Sequence, residues 1–187
     1  MKKLLFLIPT ILLLSACNPS ENQGGLDEVT PETGSLIYTG QGLSNVGSGY
    51  PDPETVDVDG QQIYFESVQK SGSKGNIQMR NATKGSGVIE NRTPLKGRLI
   101  VDEYINIIQP AGTDTTVCIS VYAAKKIGPV GCEKTSLTNY TLLSSPTGSD
   151  QDGHRIFDFG DVSEYRYFKL INESSNSQYL YSVSWTW

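Results

Sequence analysis

The sequence predicts an all-β fold, an antiparallel sandwich or barrel. Short runs of apolar and β-branched residues recur along the chain with Gly, Pro, Asp and Asn between them, which is typical of such folds. No stretch keeps an apolar period of about 3.6 residues over several turns, so the crossover helices of a parallel α/β fold are not indicated. In residues 181–187 large side chains alternate with small polar ones, which predicts a strand with one face on a core.

The strands follow from these runs and from the residues that interrupt them. Asp59-Gly60 separates two of the runs and is typical of a tight hairpin turn. The predicted strands are residues 36–38, 55–58, 62–67, 76–80, 87–90, 98–108, 115–122, 134–137, 155–159, 167–172 and 178–187.

The N-terminal segment has the pattern of an export signal. Lys2 and Lys3 precede an uncharged apolar run from Leu4 to Leu14, and small residues then lead to Cys17. This run is too short to span a bilayer, which needs about 20 residues, and its length suits a signal peptide.

The tetrapeptide Leu14-Ser15-Ala16-Cys17 resembles the lipobox of bacterial lipoproteins. The resemblance implies that residues 1–16 are removed and that Cys17 carries diacylglycerol and a further acyl chain such as palmitate. An ordinary secretory signal with a nearby cysteine is the alternative. We expect a lipid-anchored protein on the extracytoplasmic side of the bacterial cell envelope. The sequence leaves open whether the outer or the cytoplasmic membrane holds it.

The rest of the chain divides into a tether and one domain. Residues 17–34 are polar, acidic and rich in Pro and Gly, which predicts a flexible tether. Residues 35–187 have the length of a single domain and are predicted to form the sandwich. The chain has 15 basic and 20 acidic residues and no basic stripe, so we expect no binding to nucleic acid.

The cysteines predict one disulfide. If the lipid occupies Cys17, Cys118 and Cys132 remain as a pair in an oxidising compartment. Gly128, Pro129 and Gly131 lie between them and allow the chain to turn back. Two reduced thiols or a metal site are the alternatives, although one histidine and the lack of a CxxC motif disfavour zinc.

Three sequence blocks carry a family resemblance. They are GNIQMR with SGVIENRTPL (75–95), VYA (121–123), and YRYFKLIN with QYLYSV (165–183). They resemble exported β-sandwich modules found on secreted bacterial nucleases and surface lipoproteins. The resemblance implies a galactose-binding-like jelly roll of about eight strands in two antiparallel sheets. It implies no catalytic residue.

Candidate binding residues come from tyrosines in turn-rich segments and from polar residues near them. Aromatic rings stack on sugar faces while polar groups bind hydroxyls, although tyrosines are also ordinary strand residues with a solvated hydroxyl. The candidates are Tyr50, Asn139, Tyr140, Arg155, Tyr165 and Arg166. The jelly-roll resemblance also implies a structural calcium site, for which the candidates are Asp52, Asp57 and Asp59. No other cofactor is expected.

Three functions fit the sequence. The leading hypothesis is a non-catalytic ligand-binding module on the membrane, with a glycan as ligand. The second is a structural or adhesive envelope protein that contacts other proteins. The third is a small hydrolase, which the pattern disfavours because His154 is the only histidine and is predicted in a solvent-exposed turn.

Overall fold

The computed structural model describes residues 34–44, 49–72, 74–104, 119–132, 134–151 and 153–187. Thirteen β-strands and two short 3₁₀ turns form this part of the chain. The strands are β1 (Ser35–Tyr38), β2 (Glu54–Val58), β3 (Gln61–Glu66), β4 (Val68–Lys70), β5 (Ile77–Met79), β6 (Val88–Asn91), β7 (Arg98–Tyr104), β8 (Ser120–Ala124), β9 (Thr141–Leu142), β10 (Ser149–Gln151), β11 (His154–Asp161), β12 (Tyr167–Ile171) and β13 (Gln178–Thr186). The 3₁₀ turns are Ala82–Lys84 and Lys134–Leu137.

The strands form two antiparallel sheets, and the fold is a β-sandwich. One sheet has the order β10-β11-β7-β13-β5-β4, with β1 also paired to β13, and the other has the order β2-β3-β6-β12-β8-β9. Eight of these strands run β5-β13-β7-β11 in one sheet and β6-β12-β8-β9 in the other. This is the jelly-roll order, in which the chain crosses repeatedly between the sheets. The predicted all-β sandwich is confirmed.

Apolar side chains from both sheets fill the space between them. Leu99 and Val101 of β7 contribute from the seven-stranded sheet, and Phe168 and Leu170 of β12 contribute from the six-stranded sheet. The ring of Trp185 on β13 lies 6.2 Å from that of Phe168, centroid to centroid. Each fully buried side chain of this size contributes about 1.5–3 kcal/mol, so this layer is the main source of stability.

Two fully buried asparagines hold the ends of the central strands. The Asn91 side chain donates to the carbonyls of Thr93 and Arg166 and accepts a hydrogen bond from the Phe168 amide. The Asn172 side chain donates to the carbonyls of Met79, Arg80 and Asn176. Both amides therefore satisfy backbone groups that the sheets leave unpaired at their ends, and a buried group without a partner would cost about 1–3 kcal/mol.

The turn between β2 and β3 has the predicted hairpin geometry. Asp59 and Gly60 both have positive φ, 54° and 80°, as the favoured two-residue hairpin turn requires. The carboxylate of Asp57 accepts a hydrogen bond from the Gly60 amide at 2.9 Å. The sequence signal at Asp59-Gly60 is therefore confirmed.

A β-bulge interrupts the alternation along β13. Leu180 pairs with Glu103 and Ser182 pairs with Asp102, so Tyr181 is an extra residue. Leu180, Val183 and Trp185 are buried, whereas Tyr181 is partly exposed on the outer face. The prediction that Tyr181 shares the core-facing side with Val183 is wrong, because a bulge shifts the two-residue period by one position.

The other differences from the predicted strands are local. Residues 134–137 form a 3₁₀ turn, and the Ser136 hydroxyl donates to the Gly131 carbonyl within the same loop. Strands β4, β9 and β10 have only two or three residues each, too few for an alternating pattern to be visible. Predicted strand residues 105–108 and 115–118 lie outside the described residues.

Four of the strands at the edges of the two sheets are short or charged, whereas β1, which lies at the edge beside β13, has four residues and an exposed Ile37. Strands β10, β4 and β9 have two or three residues each. Strand β2 has five residues, and two of its exposed side chains are Glu54 and Asp57. No helix in the described part of the chain is long and apolar enough to cross a membrane.

Gly97, which precedes β7, provides a test of the contact between β7 and β13. Its φ is +99°, and a Cβ atom there would lie 2.0 Å from the Thr186 carbonyl oxygen. Gly60 has a φ of +80° and no atom within 4 Å of the equivalent position. Gly60→Ala should therefore cost only the left-handed strain of about 1–2 kcal/mol, and Gly97→Ala should cost clearly more. Urea unfolding of both variants measures this, and equal losses would contradict the close contact.

Candidate functional site

The outer face of the six-stranded sheet is covered by the chain itself. The loop formed by residues 127–132 and 134–140 lies over β3, β6, β12 and β8. Beneath it, the outward side chains of Tyr64, Val88 and Ile171 form a small second core with Tyr122 and Leu137 at its edge. This face therefore serves to attach a loop to the sheet.

A buried ion network fixes this loop. Lys169 has no exposed surface, and its Nζ lies 3.2 Å from Glu90 Oε2 and 3.2 Å from the Gly131 carbonyl, to which it donates. It also donates to the Pro129 carbonyl, and it lies 4.9 Å from the centroid of the Tyr140 ring. The carboxylate, the two carbonyls and the face of the ring all favour the ammonium, which offsets part of the cost of removing it from water.

Arg92 completes the network at its exposed side. The Arg92 guanidinium pairs with Glu90 and donates to the Gly128 carbonyl at 2.9 Å. Burial raises the pKa of the Glu90 carboxyl, and the two cations oppose that shift. Burial likewise lowers the pKa of the Lys169 ammonium, while Glu90 opposes it. The side chains of Lys169 and Glu90 have no exposed surface, and Arg92 is 20% exposed, so we assign the network a structural role.

The outer face of the seven-stranded sheet carries a partly exposed group of rings. We call Tyr104, Tyr179, Tyr181 and His154 the aromatic face. Tyr104 ends β7, His154 begins β11, and the two tyrosines of β13 lie beside them. All four point outward, because the inward positions of these strands are taken by core residues such as Val101, and the bulge turns Tyr181 out as well.

Three contacts link the four rings, in the order Tyr179, Tyr104, Tyr181 and His154. The Tyr104 ring lies 6.4 Å from that of Tyr179, at 73°, and 6.0 Å from that of Tyr181, at 52°. His154 stacks on Tyr181 with a centroid distance of 3.6 Å and an angle of 17°. Edge-to-face and stacked pairs of this kind are favourable beyond their buried area. The aromatic face is therefore an ordered surface in which each ring limits the movement of the next.

Asp102 orients the histidine of the aromatic face. Its carboxylate oxygens lie 3.0 and 3.2 Å from His154 Nδ1. A carboxylate can only accept, so Nδ1 carries the proton and Nε2 is the acceptor when the ring is neutral. Burial raises the pKa of Asp102, and the bond to His154 opposes the shift. The side chain of His154 is 35% exposed, so the pair is accessible to a ligand.

Polar side chains extend the aromatic face along the sheet. Gln78 of β5 pairs directly with Tyr179, and Gln69 of β4 pairs with Gln78. The Gln69 amide donates to Gln78 Oε1 at 3.0 Å. Lys74 Nζ lies 5.3 Å from the centroid of the Tyr179 ring. Hydrogen-bonding groups and a cation thus border the rings on one side, as Asp102 does on the other.

The binding residues predicted from sequence lie in several places. Asn139 and Tyr165 come together, with Lys125, Lys126, Thr141 and Glu164, around an open depression of about 600 Å³. Asn139 has a positive φ of 73°. Lys125 and Glu164 form a surface ion pair at 3.7 Å, which is the weak kind of pair. This depression is the one grouping that the structure makes from the predicted residues.

The other predicted binding residues are engaged in the fold. The Tyr140 ring lies under Lys169, and burial raises its pKa to about 12. The Tyr50 ring lies 5.2 Å from the Arg80 guanidinium. Arg166 donates to the carbonyls of Ser163 and Tyr165, and Arg155 lies in β11 beside Gly148.

The candidate metal and cysteine residues are placed as follows. Asp57 binds the Gly60 amide, Asp59 occupies the hairpin turn, and Asp52 is exposed before β2. Within the described ranges, no three His, Cys, Asp or Glu side chains are grouped as metal ligands would be. Cys132 is half-buried against the second core. Cys17 and Cys118 lie outside the described residues, so the lipid and the disulfide stay predictions.

Sequence reasoning missed the aromatic face. His154 was predicted in an exposed turn, but it begins β11 and its ring is partly buried. Tyr104 and Asp102 alternate with buried residues on β7, which is a visible signal that a strand has a polar aromatic outer side. The position of Tyr181 had no such signal, because its orientation depends on the bulge.

Two comparisons of the sequence with known proteins find no relative. A scan against protein-family models finds no match, and a search of curated proteins finds no related sequence.

The buried network yields a stability prediction. Lys169→Met leaves Glu90 buried with only Arg92 as cationic partner, so we expect a loss of about 3–5 kcal/mol of unfolding free energy. Lys125→Met is the matched control, because its ion pair is exposed, and it should cost less than about 1 kcal/mol. Adding Glu90→Gln to Lys169→Met should recover part of the loss, since no carboxylate then remains buried. Denaturant unfolding tests both points, and equal effects of the two lysine variants would contradict the structural role.

Proposed function

We propose that this protein is a lipid-anchored, non-catalytic carbohydrate-binding module. The aromatic face is the observation that carries the proposal. It combines partly exposed rings with a carboxylate–histidine pair and an amide, all held on strands of one sheet.

The chemistry of the aromatic face suits a sugar better than an apolar ligand. Sugar rings present C–H groups on their faces and hydroxyls around their edges, so they need apolar surfaces next to hydrogen-bonding groups. Tyr104, Tyr179 and Tyr181 offer ring surfaces, each with a hydroxyl. The Asp102 carboxylate and Nε2 of neutral His154 offer acceptor atoms for sugar hydroxyls within the same group, because Asp102 holds the Nδ1 proton. A ligand without hydroxyls would leave these polar atoms desolvated and unpaired, which is unfavourable.

The outer faces of the two sheets differ in how far they are covered, and this difference supports ligand binding at the aromatic face. The equivalent face of the other sheet is closed by a loop and its ion network. On the seven-stranded sheet, by contrast, His154 keeps about a third of its side-chain surface exposed. Rigid strands hold binding groups more accurately than loops do.

The anchor is part of the proposal and rests on the N-terminal pattern. A short positive segment, an uncharged apolar run and Leu14-Ser15-Ala16-Cys17 support export, followed by acylation of Cys17. Two or more acyl chains give stable membrane attachment, whereas one gives only reversible binding. The acidic, Pro- and Gly-containing stretch up to residue 34 would separate the sandwich from the bilayer. A disulfide between Cys118 and Cys132 would strengthen the domain in such a compartment.

Binding is tested with the full chain in detergent on columns of soluble polysaccharides. Hydroxyethyl cellulose, glycol chitin, laminarin, xylan and alginate serve as probes. We expect retention on at least one column, and Tyr179→Ala should weaken that binding by about tenfold or more, which corresponds to about 1.4 kcal/mol. Tyr165→Ala is the control, because its ring lines the separate depression and should not matter. No retention on any column, or loss only with Tyr165→Ala, would overturn the proposal.

The anchor is tested by labelling cells with radioactive palmitate. The wild-type chain should incorporate the label and remain with the membrane fraction, and Cys17→Ser should lose both properties because it lacks the acylated sulfur. Cys132→Ser is the control and should retain the label. An unlabelled wild-type chain would show that the N-terminus acts as an ordinary secretory signal.

A further inference from the structure

The geometry of the aromatic face narrows the class of carbohydrate, and this step rests on the proposed function. His154 pairs with Tyr104 across β11 and β7, and Tyr179 pairs with Gln78 across β13 and β5. The Tyr104 and Tyr179 rings meet between these two pairs. Four side chains therefore form one row that crosses four neighbouring strands at right angles to the chain direction.

The row has the length of a short oligosaccharide. Neighbouring strands are about 4.8 Å apart, so the row extends about 14 Å from its first to its last strand. A pyranose unit in an extended chain is similar in length to one strand spacing. One sugar unit can therefore lie at each strand, which gives about four units along the row.

Both ends of the row carry hydrogen-bonding groups. At one end, Asp102 fixes the tautomer of His154. At the other end, Gln69 holds Gln78 Oε1 at 3.0 Å, which orients the Gln78 amide nitrogen and its two donors. Gln69 is only 6% exposed, so its part in this row is to hold Gln78 rather than to contact the ligand.

The rings do not form one flat surface. Tyr104 lies at 73° to Tyr179 and at 52° to Tyr181. The sheet twist also rotates neighbouring strands by about 20–25°. A flat crystalline polysaccharide could contact only part of such a row, whereas a single chain can follow it.

We infer that the aromatic face binds an internal segment of a single, soluble polysaccharide chain, about four sugar units long, which lies across the strands. A lone terminal sugar would contact one or two of the four positions and leave Gln78 or His154 unused.

The test uses a ladder of oligomers prepared by partial hydrolysis of the polysaccharide that retains the full chain. Isothermal titration calorimetry should show affinity rising by about tenfold or more from the disaccharide to the tetrasaccharide. It should then stay nearly constant up to the hexasaccharide, since longer chains extend beyond the row. Crystalline cellulose or chitin, compared with the soluble form, should bind weakly.

Variants at the two ends make the readout specific. Gln78→Ala should reduce tetrasaccharide affinity and leave disaccharide affinity nearly unchanged, because the disaccharide can occupy the other positions of the row. His154→Ala should do the same from the opposite end, whereas Tyr179→Ala should weaken both. Folding of each variant is checked by its thermal unfolding curve.

The outcomes separate the two claims. If a polysaccharide is retained but the monosaccharide binds as tightly as the tetrasaccharide, the chain-length inference is wrong and the proposed function stands. Preference for crystalline material would also overturn the inference alone. If no polysaccharide is retained, the proposed function itself fails.

Discussion

The whole architecture depends on burying one apolar layer between two twisted sheets. A strand has side chains on alternate sides, so each residue that faces the layer fixes the orientation of its neighbours. Phe168 and Leu170 on β12 face inward, and Lys169 between them must therefore face outward. On β7, Leu99 and Val101 face inward, which directs Asp102 to the opposite side. The chemistry of both outer faces is thus a consequence of the core.

The two outer faces show how the same constraint leads to different outcomes. On the six-stranded sheet, the outward Lys169 and Glu90 are enclosed by a loop whose carbonyls satisfy the ammonium. A buried charge of this kind is tolerated only when its partners are complete, so the loop and the network depend on each other. On the seven-stranded sheet, the outward groups are rings that stabilise one another and keep part of their surface exposed. One face is therefore closed by the chain itself, and the other remains partly open to solvent.

The fold class and most strands could be predicted from the sequence, because strands and turns depend on the residue types within short segments. The Asp59-Gly60 turn is an example, since its positive φ angles follow from the residue types. The candidate site depended on long-range geometry. His154 and Asp102 are 52 positions apart, and only the pairing of β11 with β7 brings them together. The bulge at Tyr181 depends on the register between β13 and β7. The alternation of residues along one strand reveals neither the contact between His154 and Asp102 nor the bulge. The sequence therefore points to tyrosines in turns as candidate binding residues and not to the tyrosines on these strands.

The short and charged strands at the ends of the sheets affect how this molecule meets its own copies. An open strand edge invites a second chain to continue the sheet, and proteins suppress such growth with very short edges or with acidic and basic side chains. Strands β4, β9 and β10 offer only two or three residues for an incoming backbone, and Glu54 and Asp57 would repel an identical β2. These four edges are therefore poor templates for an added strand, whereas β1, which pairs with β13 and exposes Ile37, is the edge that such an addition would meet most easily.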